Sequence, residues 1–179
     1  LSSREAQTDE MYQRTRILVM IEDLIAPLRG SDVVIAVTST ADLADRAAED
    51  EPVLRRNPAI AYGLGNLLEN AVDFAEARVE VDARWTASQV SITVRDDGPG
   101  FHESIFDRLG DPFVTSRPGY GEETGEPGRH EGMGLGFFIA KTLLERSGAT
   151  VSLANQPAPE HGAVVHVVWP RGIIDLGRA

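Results

Sequence analysis

Glu131-Gly132-Met133-Gly134-Leu135-Gly136 opens directly into the apolar segment Phe137-Phe138-Ile139-Ala140-Lys141-Thr142-Leu143-Leu144. Glycines alternating with Met133 and Leu135 at a helix entrance let the backbone come close to a ligand. The free N–H groups of the first turn and the helix dipole favour an anion there. The stretch is a candidate phosphate cradle, although glycine-rich helix entrances also serve as plain turns, so its meaning depends on what lies upstream.

Upstream, Pro58 suits the first turn of a helix running to about Ala75. Ile60, Leu64, Leu67, Leu68, Ala71 and Ala75 share one face of it, and Asn66, Asn70 and Asp73 lie together beside that stripe. Asparagine is a poor helix former, so two of them one turn apart call for a reason. They are surface residues tolerated by chance or a pair of amide oxygens looking into a pocket. Val79, Val81, Ala83 and Trp85 alternate, as do Val90, Ile92 and Val94. This is the pattern of a hairpin with one buried face, turning at Ala87-Ser88-Gln89. The second strand runs into Arg95-Asp96-Asp97-Gly98-Pro99-Gly100, which puts Asp96 or Asp97 at the mouth of the sheet. As an isolated turn such a sequence is ordinary.

A short helical stretch around Glu103 to Leu109 leads to Asp111-Pro112-Phe113-Val114-Thr115-Ser116-Arg117. Pro118 to Glu131 is rich in Gly and Pro with Tyr120 as its sole large apolar residue, so it cannot pack a core. A loop of that length in a compact domain is expected to be a functional lid or disordered. A strand near Thr150 to Ala154, a turn with Pro157 and Pro159, and a last strand Ala163 to Trp169 follow the glycine-led helix. His166, among valines, reads as a satisfied core histidine. At the other end, Asp32 to Ser39 reads as a strand, followed by an acidic, alanine-rich connection through Pro52. Ile17, Ile21, Leu24, Ile25 and Leu28 have helical spacing up to the break at Pro27. That stripe packs either on its own domain or in a dimerisation bundle of a longer chain.

At 179 residues the chain is one domain, or one domain with an appendage. No run approaches the ~18 apolar residues of a membrane span. Seventeen basic against 28 acidic residues give a net charge of −11, which disfavours nucleic acid, so an anionic ligand must be held locally. The absence of cysteine excludes disulfides, thiolate chemistry and Cys-type zinc sites. Lys141 is the one lysine, so a cation meeting phosphate is expected to be arginine. A Rossmann site would need the glycines directly after a strand, and no Walker lysine follows either glycine run.

Taken in order, Asn66-x3-Asn70, Asp96-x-Gly98-x-Gly100, Phe113 before a Gly/Pro lid, and Gly132-x-Gly134-x-Gly136 resemble the ATP-binding catalytic domain of two-component sensor histidine kinases. This is a branch of the superfamily shared with gyrase, the heat-shock chaperone ATPases and the mismatch-repair ATPases. Asn66 to Ala75, Gly110 to Arg117 and Gly136 to Ala149 are similar to the redox-responsive RegB/PrrB/ActS sensor kinases.

The resemblance implies an α+β fold, a two-layer α/β sandwich whose mixed, mainly antiparallel sheet is covered on one face by helices. It implies residues 1–29 as the tail of a dimerisation and phosphoacceptor helix with a linker, and 30–179 as the ATP-binding domain with its lid at about 101–131. ATP and Mg²⁺ are the implied ligands. Asp96 would accept from the adenine amino group, with Gly98 and Gly100 passing close to the base. Asn66 and Asn70 would be the catalytic pair, Asn70 lending oxygen to Mg²⁺. Gly132, Gly134, Leu135 and Gly136 would meet the phosphates; Phe113 would anchor the lid, and Thr115, Arg117 and Arg129 or His130 would complete the contacts.

Asn66 stands where hydrolytic relatives carry a glutamate, and its amide cannot take a proton from water. Asp73 stands where a lysine often reaches the phosphates, so it points away or a lid arginine compensates. None of His102, His130, His161 and His166 has the helical setting of an acceptor. The γ-phosphate would go to a histidine on an upstream dimerisation domain and then to a response regulator. The parent is expected to be a homodimer anchored in the inner membrane, with this part in the cytoplasm. A degenerate regulatory module of the same fold and an ATP-hydrolysing relative are the alternatives.

Overall fold

The computed structural model describes residues 13–41, 50–108 and 133–177. A five-stranded sheet runs in the order β2-β4-β5-β7-β6. Its strands are β2 (Val34–Ala41), β4 (Arg78–Trp85), β5 (Gln89–Asp96), β6 (Thr150–Asn155) and β7 (Ala163–Pro170). β2 pairs parallel to β4, and every other pairing is antiparallel. The expected α+β sandwich with a mixed sheet is what forms.

Period-two burial explains the layering. Val79, Val81, Ala83 and Trp85 of β4, Val90, Ile92 and Val94 of β5, and Val165, Val167 and Trp169 of β7 join one core. On the same face lie α1 (Ile17–Ile25), α2 (Pro58–Phe74) and α4 (Met133–Arg146), whose buried residues belong to that core. The side chain of Asn57 caps α2 by accepting from Ala59 N–H at 2.9 Å, and Pro58 fills the first helical position. Gly63 lets α2 and α4 approach, because a Cβ there would stand 2.6 Å from Leu144 Cγ.

Ile17, Ile21 and Ile25 are at most 1% exposed and pack into this core, so no break in packing separates them from the rest. α1 ends where Pro27 enters a 3₁₀ turn, Ala26–Leu28. A small antiparallel pair, β1 (Arg14–Arg16) with β3 (Val53–Arg55), was not legible in the sequence, because its three-residue strands carry no alternation of their own. The chain's last turn, α5 (Arg171–Ile174), holds β3 in place. Buried Arg171 pairs with Asp175 at 2.8 Å and donates to the carbonyls of Thr86 and Asp50, while Asp175 accepts from Val53 N–H.

His166 requires a correction. Its neighbours Val165 and Val167 face the helices, so His166 faces the opposite side of the sheet, half-buried, with Nδ1 2.7 Å from Thr93 Oγ1. It is satisfied but outside the core. Burial, with Arg95 and Arg84 nearby, pushes its pKa down and keeps the ring neutral.

Candidate functional site

Asn66 and Asn70 sit one turn apart on α2, both half-buried, and Asn70 Nδ2 donates to Asn66 Oδ1 at 3.3 Å. This leaves Asn70 Oδ1 without a donor among the described residues. Gly136, in the opening turns of α4, faces Asn66 so closely that a Cβ on it would stand 3.2 Å from Asn66 Nδ2. The helix pair therefore brings the asparagines and the glycine-led helix entrance together. Gly134 lies in the first turn of α4, and Leu135 is 56% exposed. Asp73 is exposed on the same helix and makes no ion pair among the described residues.

A small cavity of about 20 Å³ lies next to Asn70, lined otherwise by Leu67, Ala71, Phe74, Val94, Phe101, Phe137 and Val165. It is apolar except for the amide and has room for about one water. Asp96 follows Val94 by two residues on β5, so it continues along the same strand face. The strand thus carries the carboxylate one step beyond Val94, which lines the cavity with Asn70.

Asp96 and Asp97 have separate destinations. Asp96 is 6% exposed, and its Oδ1 accepts both Gly98 N–H at 2.9 Å and Ala163 N–H at 3.1 Å. No donor among the described residues meets Oδ2. Burial raises its pKa, and the two backbone donors work against the rise. Asp97 points the other way and accepts from the N–H groups of Glu76, Ala77 and Arg78 in the connection from α2 to β4. Burial pulls its carboxyl up, but the donors of Ala77, Arg78 and Glu76 win, and its pKa falls below the ordinary value.

Gly98 and Gly100 are places where only glycine fits. A Cβ on Gly98 would stand 2.2 Å from the Phe74 carbonyl oxygen, and Gly100 has φ +82° with Asn155 against it. Phe101 follows, packed on Phe106 and Phe137, and α3 (Glu103–Arg108) leads away. Phe113, Thr115, Arg117, Arg129, His130 and Gly132, and most of the expected lid, lie outside the described residues.

The sequence reading missed the connection between β6 and β7. Asn155 exchanges two hydrogen bonds with the Phe101 backbone, at 2.7 and 2.9 Å. Gln156 Nε2 donates to the Asp96 carbonyl at 2.9 Å, and His161 Nδ1 donates to the Gly98 carbonyl at 2.9 Å. The one sequence sign was polar Asn155, Gln156 and His161 around two prolines, indistinguishable from an ordinary turn.

Among the described residues no group of three or more His, Cys, Asp or Glu could hold a metal ion, and no helix is long and apolar enough to cross a membrane. The family described as histidine kinase-, DNA gyrase B-, and HSP90-like ATPase matches residues 57–173. Sensor histidine kinase RegB of Cereibacter sphaeroides is 48% identical over 131 residues, 68% of this chain and 28% of RegB. The chain thus spans about a quarter of that relative's length. Sensor protein KdpD of Escherichia coli is 32% identical over 116 residues, 64% of this chain and 12% of KdpD. Among solved structures, the mycobacterial sensor histidine kinase MprB superposes with a TM-score of 0.64 at 20% identity, covering 88% of this chain and 95% of that one. The histidine kinase domain of the E. coli osmosensor EnvZ gives 0.59 at 16% identity, covering 93% and 91%. At these identities the superpositions speak for the fold.

Proposed function

This chain belongs to the histidine kinase-, DNA gyrase B-, and HSP90-like ATPase family, and from that premise we propose that it binds ATP with Mg²⁺ and donates the γ-phosphate to a histidine on an upstream dimerisation domain, for relay to a response regulator. One observation carries the reading. A buried carboxylate with an uncommitted oxygen, Asp96, stands two residues beyond Val94 on β5, and Val94 lines the same aromatic-walled recess as Asn70, an amide with an uncommitted oxygen.

Asp96 Oδ2 would accept the adenine amino group, and guanine would present a carbonyl to it instead. Gly98 and Gly100 let the chain pass beside the base. The cavity holds about a water as it stands, so the base requires the wall of Phe101 and Phe137 to open. Asn70 Oδ1 would serve Mg²⁺, a hard ion that takes oxygen, keeps several waters and needs no cage of carboxylates. Its chemistry, once bound, is to neutralise phosphate charge. The first turns of α4, with Gly132, Gly134, Leu135 and Gly136, would offer N–H groups and the positive end of the helix dipole to the phosphates. Phe113, Thr115, Arg117 and Arg129 would close over them from the lid, about 101–131. Asn66 holds the Asn70 amide and cannot deprotonate water, so the phosphoryl group is kept for a side-chain acceptor.

The acceptor is a separate histidine. His102, His161 and His166 lie on no helix, and each has a hydrogen-bond partner. Residues 1–29 are the tail of the dimerisation and phosphoacceptor helix with its linker, and within them 14–25 dock on the ATP-binding part. The parent is a homodimer held at the inner membrane with this part in the cytoplasm. Positioning supplies most of phosphoryl-transfer catalysis, so the chain without its acceptor should retain ATP and turn it over little.

Incubation with Mg²⁺ and labelled ATP tests this. Retention without phosphate release is expected. Steady release would make the protein a hydrolase, and no retention would make it a regulatory module of the fold. Asn70→Ala is expected to weaken ATP about tenfold with Mg²⁺ present and much less in chelator. An equal loss in both would remove Asn70 from the metal.

A further inference from the structure

A corner built of Gly98, Pro99 and Gly100 has little rigidity of its own, since glycine gives the backbone its widest freedom. Yet this corner must hold Asp96 and the chain after it in one geometry. The ties come from elsewhere in the sequence. Among the backbone groups between Asp96 and Phe101, the carbonyls of Asp96 and Gly98 are engaged by Gln156 and His161 of the β6–β7 connection, and both the N–H and carbonyl of Phe101 by Asn155 at the end of β6. Gln156 Nε2 also donates to the His161 carbonyl at 3.2 Å, and Gln156 N–H donates to the Gly162 carbonyl at 2.9 Å, so the connection is braced on itself. Asp97 fixes the corner's opposite side to the end of α2.

We propose that Asn155, Gln156 and His161 form a positioning clamp that sets the Asp96–Phe101 corner for the nucleotide, with His161 making the clamp responsive to protonation. The proposal rests on the reading that this corner receives adenine. None of the three residues needs to touch the ligand. They act through the backbone that carries Asp96 and the glycines.

The imidazolium always presents Nδ1–H to the Gly98 carbonyl, whereas the neutral ring does so in only one tautomer. The hydrogen bond to Gly98 raises the His161 pKa, the small burial opposes this, and the carboxylates of Glu76 and Asp97 add to the rise. Asp96 on β5 lies within electrostatic reach of the ring, and Glu160 precedes it on its own connection. A raised folded-state pKa means that the tie is fully present below the ordinary value of 6.5. It weakens as pH climbs through the raised value, because the neutral ring keeps it in one tautomer only. His161 is exposed, so solvent moderates the effect.

The test compares ADP affinity by calorimetry for the wild type and for Asn155→Ala, Gln156→Ala, His161→Ala and His161→Asn. Each alanine variant is expected to bind about three- to tenfold more weakly, the effect of one lost hydrogen bond, and to exchange the Gly98 and Phe101 amides faster. His161→Asn restores a donor without a titrating ring and should recover most of the affinity. The wild type should lose affinity relative to this variant as pH rises through neutrality, a ratio from which the titration of ADP itself cancels. Alanine variants that match a binding-competent wild type in affinity and amide exchange would overturn the clamp. A wild type that binds no ADP would overturn the nucleotide reading, and with it the clamp's purpose.

Discussion

Asp96→Asn is expected to weaken ATP about ten- to a hundredfold while leaving the fold at least as stable as before. Both backbone donors, Gly98 N–H and Ala163 N–H, reach the same carboxylate oxygen, Oδ1. An asparagine can keep both by placing its carbonyl oxygen there, which turns its NH₂ into the position of Oδ2. In the folded protein burial raises the Asp96 pKa above its ordinary value, so the ionised form costs stability at neutral pH. That cost disappears as pH falls through the raised value, and the amide never incurs it. Binding responds in the opposite direction. The adenine amino group would now meet a donor, and the pair would be left without an acceptor in a buried place. Guanine, with a carbonyl at that edge, would gain what adenine loses, so the preference for ATP over GTP should narrow or invert. Calorimetry with both nucleotides and thermal unfolding decide the matter together. Unchanged ATP affinity would remove Asp96 from the base, and a large fall in melting temperature would make its role structural. Asp97→Asn is the contrasting control, because both Asp97 oxygens accept backbone N–H groups and an amide cannot replace them.

The contrast between these two aspartates shows where the sequence was informative. Val90, Ile92 and Val94 fall on the buried face of β5, and the same parity carried on to Asp96 would have separated it from Asp97 before any coordinates. The hairpin, the face of α2 and the spacing of Asn66 and Asn70 were legible because each is a local period. The glycines of the corner were legible as a turn, but their reasons are tertiary. Gly98 exists for the Phe74 carbonyl, and Gly100 for Asn155. The clamp was invisible because its hydrogen bonds join residues 54, 60 and 63 positions apart, with nothing periodic to announce them. The pairing of β1 with β3 was hidden for the same reason: three-residue strands gain their register from α1 and α5 and not from their own side chains. Asn66 and Gly136 could be placed near one another only through the order of motifs, whereas their contact depends on α2 and α4 approaching at Gly63.

Gly162→Ala is expected to destabilise the protein by about 3–5 kcal/mol and lower its melting temperature by roughly 10 °C. Two costs combine at this position. Gly162 has φ +121°, which L side chains rarely adopt, and a Cβ there would stand 1.8 Å from the Asp96 carbonyl oxygen and 2.7 Å from its carbonyl carbon. Both atoms are backbone of β5, so no rotamer change relieves the overlap and the start of β7 must move away. That movement would strain the Ala163 N–H bond to Asp96 Oδ1 and the Gln156 bond to the Asp96 carbonyl. Gly30 separates the two costs, since it has φ +124° with nothing within 4 Å of a Cβ. Gly30→Ala should carry the conformational strain alone, about 1 kcal/mol. Thermal and denaturant unfolding of both variants measures the difference. If Gly162→Ala melts no lower than Gly30→Ala, the start of β7 does not press this closely on the Asp96 backbone. If it melts far lower, ATP binding should also fail at temperatures where the variant is still folded, because the backbone displaced is the one that carries Asp96.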